Sequence, residues 1–162
     1  MENKTILEKE IDLIQSCISR MTQNSFVINV CLITLVTVIL ALLPDKVDVK
    51  ILCGVVIVAT LCFWYLDAYF LRLERLYRWK YEWVITNRGN SLSHLYDLNP
   101  KNHEMWLLEK DNKPKKLPSI ISVMFSESLV PLYAIIIVVA VAIIIYSALQ
   151  GAPTNIAPIG TT

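Results

Sequence analysis

The chain has 162 residues, 55% of them apolar, a mean hydropathy of +0.51 and a net charge of only +1. Soluble domains of this size rarely hold so much apolar material, and the near-neutral total excludes any argument for acidic or nucleic-acid partners from bulk charge. The four cysteines (Cys17, Cys31, Cys53, Cys62) show neither CxxC nor zinc-ligand spacing and are expected to be reduced packing residues.

Residues 1–25 form the first unit. Glu2, Glu8, Glu10 and Asp12 precede any apolar run, so a cleavable signal peptide is not expected. Leu7, Ile11, Ile14, Ile18 and Met21 follow the alternating four-and-three spacing of one helix face, predicting an amphipathic helix over 3–22. Its start is acidic, whereas helices that lie on membranes usually carry a basic polar face. Packing against another helix is the expected use.

Residues 26–71 follow as a hairpin of two apolar spans, 26–43 (Phe26 to Leu43, closed by Pro44) and 51–71 (Ile51 to Leu71, bracketed by Lys50 and Arg72). No Pro or Gly interrupts Val55 through Ile85, so the second span is expected to continue as a helix beyond the bilayer core. Glu74, Arg78 and Glu82 lie at i, i+4 spacing and can pair. The antiparallel arms would let Glu8, Glu10 and Asp12 approach Arg72, Arg75 and Arg78. The unit 72–126 carries this extension, then Arg88-Gly89-Asn90 as a break and Asn99-Pro100 as a turn, with short helices expected over Leu92–Leu98 and Lys101–Lys110. A basic, proline-punctuated linker (Lys110 to Pro118) leads to Ser119–Phe125, apolar enough for an interface.

The unit 127–149 holds the third span, Leu129 to Leu149. Its thirteen Leu, Ile and Val residues contribute about −4 to −8 kcal/mol towards insertion. A lone β-branched strand in lipid would leave its backbone groups unpaired, so helix is predicted. Three such stretches in so short a chain argue against buried core helices. The expected fold class is therefore an all-α integral membrane protein: N-terminal amphipathic helix, three transmembrane helices with the second extended, and a small helical cytoplasmic segment.

Thirteen of the fifteen lysines and arginines lie before the first span or between the second and third; only Lys46 and Lys50 lie between the first two, and none lies in the tail 150–162. The positive-inside rule then places the N-terminus and the middle segment in the cytoplasm and the C-terminus outside. Phe63, Trp64, Tyr65, Tyr69 and Phe70 fit an interfacial belt at the cytoplasmic end of span two.

No catalytic constellation is legible. The four glycines form no phosphate-cradling loop, and no serine sits in a nucleophile elbow. His94 and His103 lack partners at ligand spacing and read as polar loop residues, so neither a metal nor a cofactor is expected. Asp67, one turn inside span two, is the exceptional residue. An intramembrane acid is a functional candidate, although the interface or a nearby arginine offers a structural use, and Glu127 at the mouth of span three reads likewise. Arg72, Arg75, Arg78 and Lys80, interleaved with Tyr77, Trp79 and Tyr81, suit anionic headgroups; they equally suit a nucleotide or single-stranded oligonucleotide, with Arg88, Lys113, Lys115 and Lys116 added.

The helix leaving the membrane through Tyr65-Leu66-Asp67-Ala68-Tyr69-Phe70-Leu71-Arg72-Leu73-Glu74-Arg75-Leu76-Tyr77-Arg78, with the N-terminal amphipathic helix and the hairpin, resembles small bacterial membrane effectors over residues 1–85. It is similar to the SLATT-type pore-forming effectors and to the channel subunit of Hailong-type anti-phage systems. The third span and the tail depart from a plain two-span effector. The resemblance implies a partner nucleotidyltransferase, inner-membrane permeabilisation controlled by a nucleotide signal, and a basic chamber holding a single-stranded DNA oligomer. Three spans cannot enclose an aqueous path, so a pore needs several copies, with a tetramer as the first expectation. Its polar candidates are Asn29, Thr34, Thr37, Thr60 and Asp67, in mostly apolar walls that suit a dewetting gate. The alternative is a non-conducting anchor or adaptor that recruits a soluble cytoplasmic partner.

Overall fold

The computed structural model describes residues 2–41, 48–89, 91–107 and 115–150, and among these the regular structure is entirely helical. Three helices are long and apolar enough to cross a membrane. The first, α1 (Glu2–Ala41), runs 40 residues, about 60 Å against the ~30 Å of a bilayer core. The amphipathic segment and the first span are thus one helix. Gln23-Asn24-Ser25 marks the change in polarity, but no Pro or Gly there breaks the backbone ladder. Residues 42 and 43 of that span lie outside the described residues.

The second helix, α2 (Val49–Asn87), is the predicted uninterrupted one. Asp48 caps its start, its carboxylate accepting the Lys50 N–H at 2.9 Å. α2 is the central element, packed against α1 on one side and against α3 (Ile120–Met124) and α4 (Val130–Gln150) on the other. Where the three apolar helices meet, Leu32, Trp64, Ala68, Val123, Leu129 and Tyr133 form one core. A second core lies at the far end of the α1–α2 hairpin, where Ile14, Val84 and Met105 are fully buried and Leu7, Ile11 and Ile18 pack around them. The N-terminal stripe is therefore covered by the α2 extension, and this end of the molecule is a two-helix stalk.

The stalk's register differs from the expected approach of Glu8, Glu10 and Asp12 to Arg72, Arg75 and Arg78. Ser25 meets Asp67, Gln15 meets Tyr81, and Glu10 meets Arg88. The shared core accounts for this: Ile14 and Val84 are buried together, and Glu10 lies one turn before Ile14 and Arg88 one turn after Val84. Arg78 instead pairs with Glu74 one turn back at 2.6 Å, and Glu82 takes Lys115 at 3.0 Å.

The segment expected as a helix over Leu92–Leu98 is a loop, with His94 and Tyr96 in the left-handed region at φ 56°. The Arg88 guanidinium accounts for part of this. It binds the carbonyls of Ser91 and Ser93 at 3.1 and 2.7 Å, oxygens a helix would have used for itself. Within Lys101–Lys110 the described part contains one 3-10 turn, His103–Met105, capped by the Asn102 side chain.

Candidate functional site

Two polar assemblies are built into this apolar frame. The inner one lies at the depth of the apolar helices. Asp67 is fully buried, and its two carboxylate oxygens accept hydrogen bonds from the hydroxyls of Ser25 on α1 and Tyr133 on α4, the latter at 2.9 Å. Tyr133, also fully buried, lies 2.9 Å from the Asn29 side-chain oxygen. The expected outlets for Asp67, an arginine or the interface, are not used. All three long helices are joined through this one residue. The physical reason is that a carboxylate in an apolar layer must find donors, and hydroxyls from neighbouring helices are the ones within reach.

Trp64 completes the inner assembly. It stacks on Tyr133 (centroids 5.5 Å, interplanar 6°), meets Phe125 edge-on and donates its indole N–H to the Met124 carbonyl at 2.9 Å. The interfacial belt expected of Phe63, Trp64, Tyr65, Tyr69 and Phe70 is therefore divided. Tyr65 and Tyr69 face outward, whereas Trp64 holds the α3–α4 junction against α2. Sequence reasoning missed Ser25, Trp64 and Tyr133. A signal existed for the first and last: Ser25 falls opposite Asp67 across the hairpin, and Tyr133 is the one polar ring near the entry of an aliphatic span.

The outer assembly lies at the stalk's end. Arg88 grips Glu10 with two parallel hydrogen bonds of 2.6 Å, both side chains almost wholly buried. Lys80 is likewise buried, donating to the Asn99 carbonyl at 2.9 Å and lying 3.4 Å from the Asp97 carboxylate. Burial lowers the Lys80 ammonium from its ordinary value, with Asp97 opposing. Burial alone would raise the Asp97 carboxyl, but hydrogen bonds from the Asn102 side chain and the Asn99 N–H, with Lys80 beside it, outweigh that and hold it below its ordinary value. A group with a depressed pKa stabilises the fold above its unfolded value and loses that contribution as pH falls through its folded one. Acidification below about pH 4 should therefore loosen this loop, read as a red shift of tryptophan fluorescence from Trp106 and Trp79. The same step should vanish in Asp97→Asn.

The eight basic candidates separate by partner. Arg88, Lys80, Arg78 and Lys115 are held by Glu10, Asp97, Glu74 and Glu82, and Lys115 also lies 5.1 Å over the Trp79 ring. A phosphate that took Arg88 would leave Glu10 buried without a counter-charge. Arg75 and exposed Lys116 pair with nothing among the described residues, and Lys113 lies outside them. Arg72 is of particular interest, because its Nε is buried with no acceptor among the described residues, whereas buried guanidinium N–H groups are nearly always satisfied.

The pore candidates separate as well. Thr60 is buried and bonds the Val56 carbonyl, Asp67 is buried, and Asn29 turns towards Tyr133. Thr34 and Thr37 are exposed, each donating its hydroxyl proton to its own helix, to Val30 and Ile33 carbonyls at 2.8 Å. Their oxygens keep lone pairs pointing away from the chain. Among the described residues no group of His, Cys, Asp and Glu is arranged to hold a metal, and all four cysteines are free. No family model, curated protein or solved structure matches the chain.

Proposed function

We propose that the chain is the membrane subunit of a homo-oligomeric channel in a bacterial inner membrane, with the stalk in the cytoplasm, serving anti-phage defence and controlled by a nucleotide or single-stranded oligonucleotide. One observation carries the channel reading. On the uncovered face of α1, Gln23, Val27, Val30, Thr34, Thr37 and Ala41 repeat at alternating spacings of four and three, a stripe of modest side chains with two outward hydroxyl oxygens. The outward residues Ile51, Val55, Val58, Ile135, Val138 and Ile145 of α2 and α4 carry no such hydroxyl. A straight stripe at that period suits helices gathered around an axis, and one chain alone encloses no path. Lone pairs whose protons are already spent on backbone carbonyls suit water or a cation.

The ligand reading is supported by Arg72, Arg75 and Lys116, the basic candidates left open near the apolar boundary. The likeness of residues 1–85 to SLATT-type and Hailong-type effectors, and the distribution of lysine and arginine, support the defence role and the orientation. The test is reconstitution of purified protein in liposomes. A single-ring oligomer with ion flux is expected, and Thr34→Leu with Thr37→Leu should lower the flux at least tenfold without changing the ring. Arg72→Gln should weaken the effect of a bound oligonucleotide by about ten- to a hundredfold, the worth of a charge-assisted hydrogen bond. A monomer with silent liposomes and a stable soluble partner would replace the channel by an adaptor.

A further inference from the structure

A cavity of ≈ 140 Å³ opens between the three apolar helices on the side away from the stalk. α1 contributes Val36 and Leu40, α2 Cys53 and Val56, and α4 Val139 and Ala140. Every lining residue is apolar, Cys53 acting as a small hydrophobe. On α4 the lining begins at Ile135, two residues beyond the Tyr133 that binds Asp67. An apolar void of this size stays dry, because water would find no partner in it. Left unfilled, it would forfeit much of the packing between α4 and the hairpin.

We propose that this crevice is a phospholipid site, seating one acyl chain from the leaflet opposite the stalk. The volume sets how much of the chain enters. A dry cavity of about 150 Å³ accepts benzene, so about six carbons fit, a stretch of one tail rather than a whole lipid. The position sets the headgroup. Lys50 is exposed, and it lies three residues, just under one turn, above Cys53 on α2. A phosphate beside Lys50 would leave its tail descending past Cys53 into the cavity. The lipid would then act as a wedge that fixes the distance of α4 from α1 beyond the Asp67–Tyr133 layer.

This proposal rests on the chain residing in a bilayer and not on conduction. The full chain, reconstituted in 3:1 phosphatidylethanolamine to phosphatidylglycerol vesicles and re-extracted in mild detergent, should retain one phospholipid per chain by native mass spectrometry. Ala140→Phe, which fills the crevice from α4, should lower the retained fraction at least fivefold while circular dichroism stays helical; Ala140→Gly should keep the lipid. Lys50→Gln should weaken retention several-fold, and unchanged retention would overturn the placement of the phosphate. The wild type also carries a test free of folding effects. A phosphatidylethanolamine with a diazirine on its acyl chain should label residues 36–40 and 139–143 above the other outward faces. Even labelling over all three helices, or full retention by Ala140→Phe, would overturn the site. No lipid and no labelling at all would instead count against the membrane reading itself.

Discussion

Replacing Arg88 with alanine is expected to destabilise the chain by about 3–5 kcal/mol, because it strands the buried Glu10 carboxylate without a counter-charge. The guanidinium also serves the Ser91 and Ser93 carbonyls, so the loop that follows α2 loses its anchor in the same step. The measurement is unfolding of detergent-solubilised protein, followed by circular dichroism and by the fluorescence of Trp83, which the guanidinium faces at 5.6 Å. A double variant separates the two contributions. Glu10→Leu with Arg88→Met exchanges the ion pair for apolar volume, a replacement that is often neutral or better. It still leaves the two carbonyls without their donor, at about 1 kcal/mol each. The double variant should thus recover more than half of the loss but not all. Arg88→Lys should fall between, since a single ammonium cannot make the parallel pair to Glu10. Equal stability of Arg88→Ala and wild type would show that the stalk's end does not depend on this pair.

Much of the architecture was legible because apolar length and the absence of helix breakers are one-dimensional properties. The unbroken run from Val49 to Asn87 follows from a segment without proline and with one tolerated glycine, Gly54. The α1 stripe announces that it needs a cover, and the α2 extension with Met105 and Leu98 supplies it to Leu7, Ile11, Ile14 and Ile18. The register of the stalk was harder to read. Charge complementarity between Glu10 and Arg75 looks as good on paper as that between Glu10 and Arg88, and only the packing of Ile14 with Val84 decides between them. The loop after Asn87 was the least legible part. Its course depends on Arg88 taking carbonyls and on Lys80 reaching Asn99, contacts between side chain and backbone that leave no periodic trace.

The site candidates follow the same division. Basic residues interleaved with aromatics suggest a binding surface when read along the chain. In three dimensions four of them hold partners of their own, and Arg72, Arg75 and Lys116 are left without an ion pair among the described residues. Sequence gives charge; packing decides whether that charge is already committed.

Asp67→Ala is the second large effect expected, about 2–3 kcal/mol, and its signature should be loss of coupling between helices rather than loss of helix. The substitution removes the acceptor for Ser25 and Tyr133 at once, and leaves the buried Tyr133 hydroxyl with Asn29 alone. Hydrogen bonds to a charged acceptor contribute about 1.5–3 kcal/mol each in water-soluble proteins, and those between membrane helices average less, which sets the range. Asp67→Asn keeps one carbonyl acceptor and adds an amide donor, so it should lose under half as much. Tyr133→Phe removes one hydroxyl while keeping the ring against Trp64, and should approach Asp67→Ala if the α4 bond dominates. Because the three residues act as one unit, the double variant Asp67→Ala/Tyr133→Phe should be little worse than either single change. Cysteine pairs placed across α1 and α4 would read the same coupling, their oxidation slowing as α4 moves away from the hairpin. Additive losses would mean that the bonds act independently, and that Asp67 is not the joint through which α4 is held to the other two helices.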